Sequence, residues 1–158
     1  MSQVPSHFFF YGTLVAGNPN PVAVAIHAAL EPLGPAQTGG ILYAIPDPAG
    51  WFPALVAKDE PGNHGVSGAL YRAGAAFDAD LLARMDAYED FDPADCAGSL
   101  YRRESIAVRT DDGAGIEAAA YLWNRALPQG AERVHGGHLA TWLAETGNPV
   151  FEATRSAC

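Results

Sequence analysis

Apolar residues occur along this chain in short runs, and polar turns separate them. The first run, residues 8–11, is wholly aromatic and predicts a buried strand. Later runs predict strands over residues 39–45, 51–56, 65–71, 100–110 and 116–124. Pro53 cannot donate a ladder hydrogen bond, which favours an edge or a strand start. Asp111-Asp112-Gly113 is a hairpin turn signal between the last two strands.

A helical period is clearest over residues 78–88. Asp78 is a good N-cap residue, and Phe77 before it can pack against Leu82 as a hydrophobic staple. Shorter helices are predicted over 22–30, ended by prolines and Gly34, and over 139–145, ended by Gly147. These elements predict an α+β fold in one domain, residues 1–158. We expect a small mixed barrel or strongly curled sheet of about six or seven strands with flanking helices.

One carboxylate lies on the apolar face of the 78–88 helix. At about 100° per residue, that face carries Leu81, Leu82, Met85 and Tyr88. Glu89 falls beside Leu82, whereas Asp80, Asp86 and Asp90 are predicted to project elsewhere. Burial and the negative end of the helix dipole both disfavour a charged Glu89, so we expect a raised pKa suited to general acid–base chemistry. An ion pair with Arg102 or Arg103 is the purely structural alternative.

The exit from the first strand, Tyr11-Gly12-Thr13-Leu14, is a second candidate site. Gly12 lets the backbone bend and approach a ligand closely. Successive N–H groups at such a turn can bind a carboxylate or an oxyanion. An ordinary core strand that ends in Gly-Thr is the alternative.

Composition excludes several classes of protein. The 158 residues carry 18 acidic and 9 basic side chains, a net charge of −9, which repels nucleic acid and anionic lipid. The N-terminus has no basic region before its short apolar run, so neither a signal peptide nor a membrane span is predicted. Cys96 and Cys158 form no disulfide framework or metal spacing. We expect a cytoplasmic protein without nucleic-acid or membrane partners.

Motifs for familiar catalytic chemistry are missing. The sequence has no serine elbow, phosphate-binding loop or dinucleotide fingerprint. His135 and His138 are the only two histidines close together, and the two glycines between them argue against a rigid helix. A metal hydrolase centred on this pair is a weak alternative, because no neighbouring third ligand completes a shell.

Several motifs recur here in an order that resembles the γ-glutamylcyclotransferase-like family, which includes γ-glutamylamine cyclotransferases and bacterial relatives. They are Tyr11-Gly12-Thr13-Leu14, Pro53-Ala54-Leu55-Val56, Gly65-x-x-Gly68-x-Leu70-Tyr71, the stretch from Leu81 to Glu89, Tyr101-Arg102-Arg103, Asp111-Asp112-Gly113 and Tyr121-Leu122-Trp123-Asn124. The resemblance covers residues 8–125. The ordered set is more specific than any one of its motifs.

The resemblance implies a small mixed barrel with a cavity at the Tyr-Gly-Thr-Leu loop and no metal or organic cofactor. It places the catalytic acid/base at Glu89 and the substrate loop at Tyr11, Gly12, Thr13 and Leu14. In the family reaction, a γ-glutamyl substrate attacks its own γ-carbonyl, which forms 5-oxoproline and expels an amine. Strand position adds Tyr121 as a pocket residue. A monomer or a homodimer is expected.

Two departures from the family pattern bear on activity. Asp90 stands where the family usually has glycine after the catalytic glutamate, and the chain after Asn124 differs from the usual ending. A binding module that uses the same cavity for a small acidic metabolite, without catalysis, is therefore the alternative function.

Overall fold

The structure, a computed structural model, describes residues 4–11, 21–47, 50–56, 65–89, 91–92, 94–95 and 98–147. Its helices are α1 (Pro21–Ala28), α2 (Ala79–Tyr88) and α3 (Leu139–Thr146). Its strands are β1 (His7–Phe10), β2 (Leu30–Thr38), β3 (Ile41–Asp47), β4 (Gly50–Val56), β5 (Val66–Ala73), β6 (Tyr101–Thr110), β7 (Gly115–Trp123) and β8 (Glu132–Arg133).

Five strands close into a barrel in the order β1-β5-β2-β6-β7. β1 is antiparallel to β5 and parallel to β7, and the other neighbours in the barrel are antiparallel. The remaining three strands form a sheet in the order β4-β3-β8, which leaves Pro53 on an edge strand as predicted. The small mixed barrel with flanking helices is thus confirmed.

Both faces of strand β7 are buried from Ala118 onward. On β7, Ala119, Tyr121 and Trp123 join one apolar cluster, whereas Ala118, Ala120 and Leu122 join another. The first cluster contains residues of α1 and α2, and the second contains Leu139 of α3. Because helices contribute to both clusters, the sequence of β7 is a nearly continuous apolar run instead of an alternating apolar and polar pattern.

The prediction for residues 30–38 was wrong. Prolines were expected to end the first helix in a loop, but α1 ends at Ala28 and β2 begins at Leu30. β2 pairs with β5 along its length, with a shift in register between Pro32 and Gly34, and reaches β6 only from Ala36 onward. Pro32 and Pro35 therefore lie where one side of the strand has no ladder partner, the position in which proline is tolerated.

The clearest predicted helix forms as expected. Asp78 is the N-cap of α2, and its Oδ1 accepts a hydrogen bond from the Leu81 N–H at 2.9 Å. Phe77 and Leu82 are buried in the same cluster, as a staple requires. No helix in the described stretches has the length and apolar content needed to cross a bilayer.

The segment with the two histidines docks α3 against the barrel. Gly137 has a φ of 68°, and its carbonyl accepts a hydrogen bond from the Ser67 N–H at 2.7 Å. A Cβ on Gly137 would lie 1.4 Å from the Gly65 carbonyl oxygen. His138 is the N-cap of α3, because its Nδ1 accepts a hydrogen bond from the Thr141 N–H at 3.3 Å. Backbone packing thus accounts for Gly137 and helix capping for His138.

We expect Gly137→Ala to destabilise the fold by about 2 kcal/mol or more, because the new methyl group overlaps the Gly65 carbonyl at a strained φ. Gly136→Ala is the matched control, since a Cβ there meets no atom within 4 Å. Urea unfolding of the two variants gives the comparison. Equal stability of both variants would contradict this account of the glycine pair.

Candidate functional site

Glu89 lies at the end of α2 with its side chain turned toward the protein interior. It is the C-cap residue, and its N–H donates to the carbonyls of Met85 at 3.0 Å and Asp86 at 3.1 Å. Only 9% of the residue is exposed, and the neighbouring positions Leu82 and Met85 belong to the apolar core. The predicted burial of Glu89 is therefore confirmed.

Asp86 is also buried, which corrects the prediction that it projects elsewhere. It is 4% exposed and forms an ion pair with Arg103 of β6. The Tyr121 hydroxyl of β7 donates a hydrogen bond to Asp86 Oδ1 at 2.6 Å. Asp86 follows Leu82 by four residues, which places it only about 40° around the helix. The apolar face is thus wide enough to include Asp86 at its border.

Arg103 holds the segment on either side of Glu89. Its guanidinium donates to both carboxylate oxygens of Asp86 and lies 5.6 Å from the centre of the Phe91 ring. Burial acts to lower the pKa of Arg103, but the hydrogen bond and charge of Asp86 outweigh it, so the pKa is raised. Arg102 instead pairs with Glu104, at 2.8 Å, on the more exposed part of β6.

Tyr121 interacts electrostatically with both buried carboxylates, Asp86 and Glu89. Burial is the largest cause that raises its pKa well above the usual 10.0, and the charge of Asp86 and its hydrogen bond add to this effect. The negative charge of Glu89 raises the pKa further, whereas Arg103 lowers it. Tyr121 therefore keeps its proton at neutral pH and donates it in a hydrogen bond to Asp86.

Tyr11 ties the end of β1 to the same cluster. Its hydroxyl donates a buried hydrogen bond to the Tyr121 carbonyl oxygen. Of the predicted site residues, the structure thus joins Tyr11 to Tyr121 by a hydrogen bond. Tyr121 and Glu89 interact through the negative charge of Glu89. Gly12, Thr13, Leu14 and Asp90 lie outside the described residues.

One cleft meets this cluster at Arg103. The cleft, of about 490 Å³, is lined by Ser6, His7, Arg103, Ser105, Glu117 and their neighbours, but not by Tyr11, Glu89 or Tyr121. Among the described residues, no group of three or more His, Cys, Asp or Glu side chains is arranged to hold a metal ion.

Sequence reasoning missed Asp86 and the part played by Arg103. The available signal was the spacing of Asp86, four residues after Leu82 and three before Glu89, on a helix followed by the basic pair Arg102-Arg103. Which arginine reaches the helix depends on the side of β6 that faces α2, and the sequence does not determine that side.

Comparison with known proteins identifies the family. The family model described as "Gamma-glutamyl cyclotransferase, AIG2-like" matches residues 8–143. The chain therefore belongs to this family. A search of curated proteins by sequence gives no match.

Solved structures share the fold at low sequence identity. An AIG2-like protein from Mus musculus is 22% identical with a TM-score of 0.57, covering 80% of this chain and 82% of its own. An uncharacterised protein from Pyrococcus horikoshii is 18% identical with a TM-score of 0.56, covering 90% and 96%. A structure titled "Gamma-glutamyl cyclotransferase" is 13% identical with a TM-score of 0.55, covering 98% and 94%.

The raised pKa of Tyr121 predicts how stability changes at alkaline pH. Below pH 10 both folded and unfolded states hold the phenolic proton, so Tyr121 contributes no pH dependence. Above it the unfolded state releases the proton while the folded state keeps it, so stability falls by about 1.4 kcal/mol per pH unit.

We therefore expect the free energy of unfolding of Tyr121→Phe to fall less steeply above pH 10 than that of the wild type. The two slopes should differ by about 1.4 kcal/mol per pH unit, the effect of one proton. Urea titrations at several pH values between 9 and 11.5 measure the two slopes. The ionisation of the other tyrosines is common to both proteins and cancels. Parallel curves would mean that Tyr121 titrates normally in the folded state.

Proposed function

We propose that this protein is a cofactor-independent γ-glutamyl cyclotransferase. It releases 5-oxoproline and an amine from a γ-glutamyl amine, amide or dipeptide. The observation that carries the proposal is the position of Glu89, a buried carboxylate at the end of α2 whose charge acts on Tyr121. Tyr121 in turn accepts a hydrogen bond from Tyr11 at the end of β1. Membership of the γ-glutamyl cyclotransferase, AIG2-like family supports it.

Glu89 is the general acid/base of the proposed reaction. Its carboxylate takes a proton from the substrate's α-ammonium group, and the resulting amine attacks the γ-carbonyl carbon. A carbon–nitrogen bond forms, and the carbonyl oxygen becomes an oxyanion. Glu89 then delivers the proton to the leaving nitrogen. The oxyanion then re-forms the carbonyl as the old carbon–nitrogen bond breaks, and the amine departs in its neutral form. Glu89 takes the second proton from the ring nitrogen and passes it to the departing amine, which becomes an ammonium ion.

No enzyme nucleophile is needed, because the attacking group belongs to the substrate. Holding the reacting atoms in contact gives effective concentrations of about 10⁵–10⁸ M in favourable intramolecular reactions. The protein's task is to fold the flexible glutamyl chain so that the α-nitrogen faces the γ-carbon. A buried carboxylate then has only to move protons, a contribution of about 10²–10⁴-fold.

The substrate-binding residues of the proposal are Tyr11, Gly12, Thr13, Leu14 and Tyr121. Tyr121 is assigned to the pocket because its hydroxyl donates to Asp86, three residues before Glu89 on α2. The loop at residues 12–14 is assigned the α-carboxylate or the developing oxyanion, through backbone N–H groups.

We expect Glu89→Gln to lower kcat for 5-oxoproline release by about 10²–10⁴-fold, because the amide cannot accept or return the proton. The measurement is 5-oxoproline formation from a panel of γ-glutamyl amines, amides and dipeptides, with circular dichroism to verify folding. Asp80→Asn, which makes the same carboxyl-to-amide change at an exposed position of α2, is the matched control and should retain full activity.

The panel also separates the proposal from its alternative. Turnover by the wild type and by Asp80→Asn, with loss in Glu89→Gln, supports the cyclotransferase. Full activity of Glu89→Gln would refute the role of Glu89. If the wild type binds panel compounds in calorimetry without releasing 5-oxoproline, the protein is a binding module.

A further inference from the structure

The buried carboxylate of Asp86 has no part in the proton transfers described above. It lies three residues before Glu89 and is the more deeply buried of the two, at 4% against 9% exposure. Replacing a buried ion pair by apolar residues of similar volume is often neutral or stabilising, so such a pair is weak evidence for a role in stability alone. Its contacts indicate what else it does.

Asp86 is held from two adjacent strands at one level of the barrel. Arg103 of β6 and Tyr121 of β7 are direct cross-strand partners, and both bind the Asp86 side chain. Two strands paired over nine positions form a rigid support. The α2 helix is thereby anchored to the barrel wall within its last turn, two residues before Tyr88.

The main chain of Asp86 fixes the other side of the same turn. Its carbonyl accepts hydrogen bonds from the N–H groups of Glu89 at 3.1 Å and Phe91 at 2.9 Å. Arg103 binds Asp86 and also contacts the Phe91 ring, at 5.6 Å. One guanidinium therefore contacts the chain on both sides of Glu89.

The same anchor reaches the end of β1. Tyr121 donates to Asp86 through its hydroxyl and accepts from the Tyr11 hydroxyl through its carbonyl. Tyr11 is the first residue of the proposed substrate loop. A chain of three hydrogen-bonded residues thus connects Tyr11 to the turn that carries Glu89.

We propose that Asp86, bound by Arg103 and Tyr121, is the positioning residue that fixes the Glu89 turn against the barrel and against Tyr11 at the end of β1. Asp86 touches no substrate in this role and acts through Glu89. The catalytic part of this inference rests on the proposed cyclotransferase function, whereas the ordering of the turn does not.

The test compares Asp86→Asn and Arg103→Lys with Glu104→Gln. Asp86→Asn keeps the shape and an oxygen for the Tyr121 hydroxyl but removes the charge that binds Arg103. Arg103→Lys keeps the positive charge but loses the planar fork that binds both carboxylate oxygens. Glu104→Gln removes the exposed ion pair with Arg102 on the same strand and is the control.

Amide hydrogen exchange, measured by NMR without any substrate, reports how well the Glu89 turn is ordered. In Asp86→Asn and Arg103→Lys we expect the Glu89 and Phe91 amides to exchange at least about tenfold faster relative to amides of β5, a barrel strand paired on both sides. Glu104→Gln should leave the ratio unchanged. Equal acceleration of all amides, or none, would overturn the positioning role.

The catalytic consequence is measured by steady-state kinetics. The substrate is the panel compound that the wild type turns over best. We expect kcat to fall by about 100-fold in Asp86→Asn, because small misplacements of a catalytic group have effects of this size, with KM within threefold. A wild-type kcat in Asp86→Asn would refute the catalytic part. If Asp86→Asn does not fold, Arg103→Lys gives the same reading.

The two proposals fail in different ways. If the wild type releases no 5-oxoproline while the Glu89 and Phe91 amides still lose protection selectively, the cyclotransferase proposal fails and the ordering of the turn stands. If the wild type turns over and Glu89→Gln does not, but the Asp86 variants keep both activity and protection, only the positioning role fails.

Discussion

The ion pair between Asp86 and Arg103 joins the last turn of α2 to strand β6 of the barrel. Burying each of its charges costs several kcal/mol, and removing one partner of such a pair typically costs about 3–5 kcal/mol. The pair is tolerable because Tyr121 donates to a carboxylate oxygen and Phe91 covers the guanidinium. The last turn of α2 therefore has one well-defined position, which also fixes where Glu89 lies as the next residue.

Barrel closure makes this arrangement possible. β6 and β7 form the longest hairpin in the described structure, and β7 also meets β1, whose last residue leads directly to Tyr11. A carboxylate on α2, a tyrosine on β7 and a tyrosine after β1 converge because three elements distant in sequence meet at one side of the barrel. Tyr121 belongs to one apolar cluster and Tyr11 to the other, and Asp86 and Glu89 are buried. Electrostatic interactions among these groups are therefore stronger than they would be in water.

The chemistry that we propose uses this geometry economically. An intramolecular attack requires a substrate held in a folded conformation and a carboxylate that moves protons. Two carboxylates in such a site could repel each other, but Arg103 balances the charge of Asp86. Tyr121 stays protonated between them, because burial and both negative charges raise its pKa. In our proposals the two carboxylates take separate roles, Asp86 a positioning role and Glu89 a catalytic one.

Local signals in the sequence determined α2 with its Asp78 cap, the hairpin turn at Gly113, the edge position of Pro53 and the burial of Glu89. Each of these depends on periodicity or turn chemistry within about ten residues. Tertiary structure alone decided that residues 30–38 form a strand in spite of two prolines, since one side of that stretch lacks a ladder partner. It also decided that Arg103, and not Arg102, binds the helix, because the register of β6 against β7 sets which side chain faces inward. Side-chain partners across the barrel are fixed by closure, which no local pattern records.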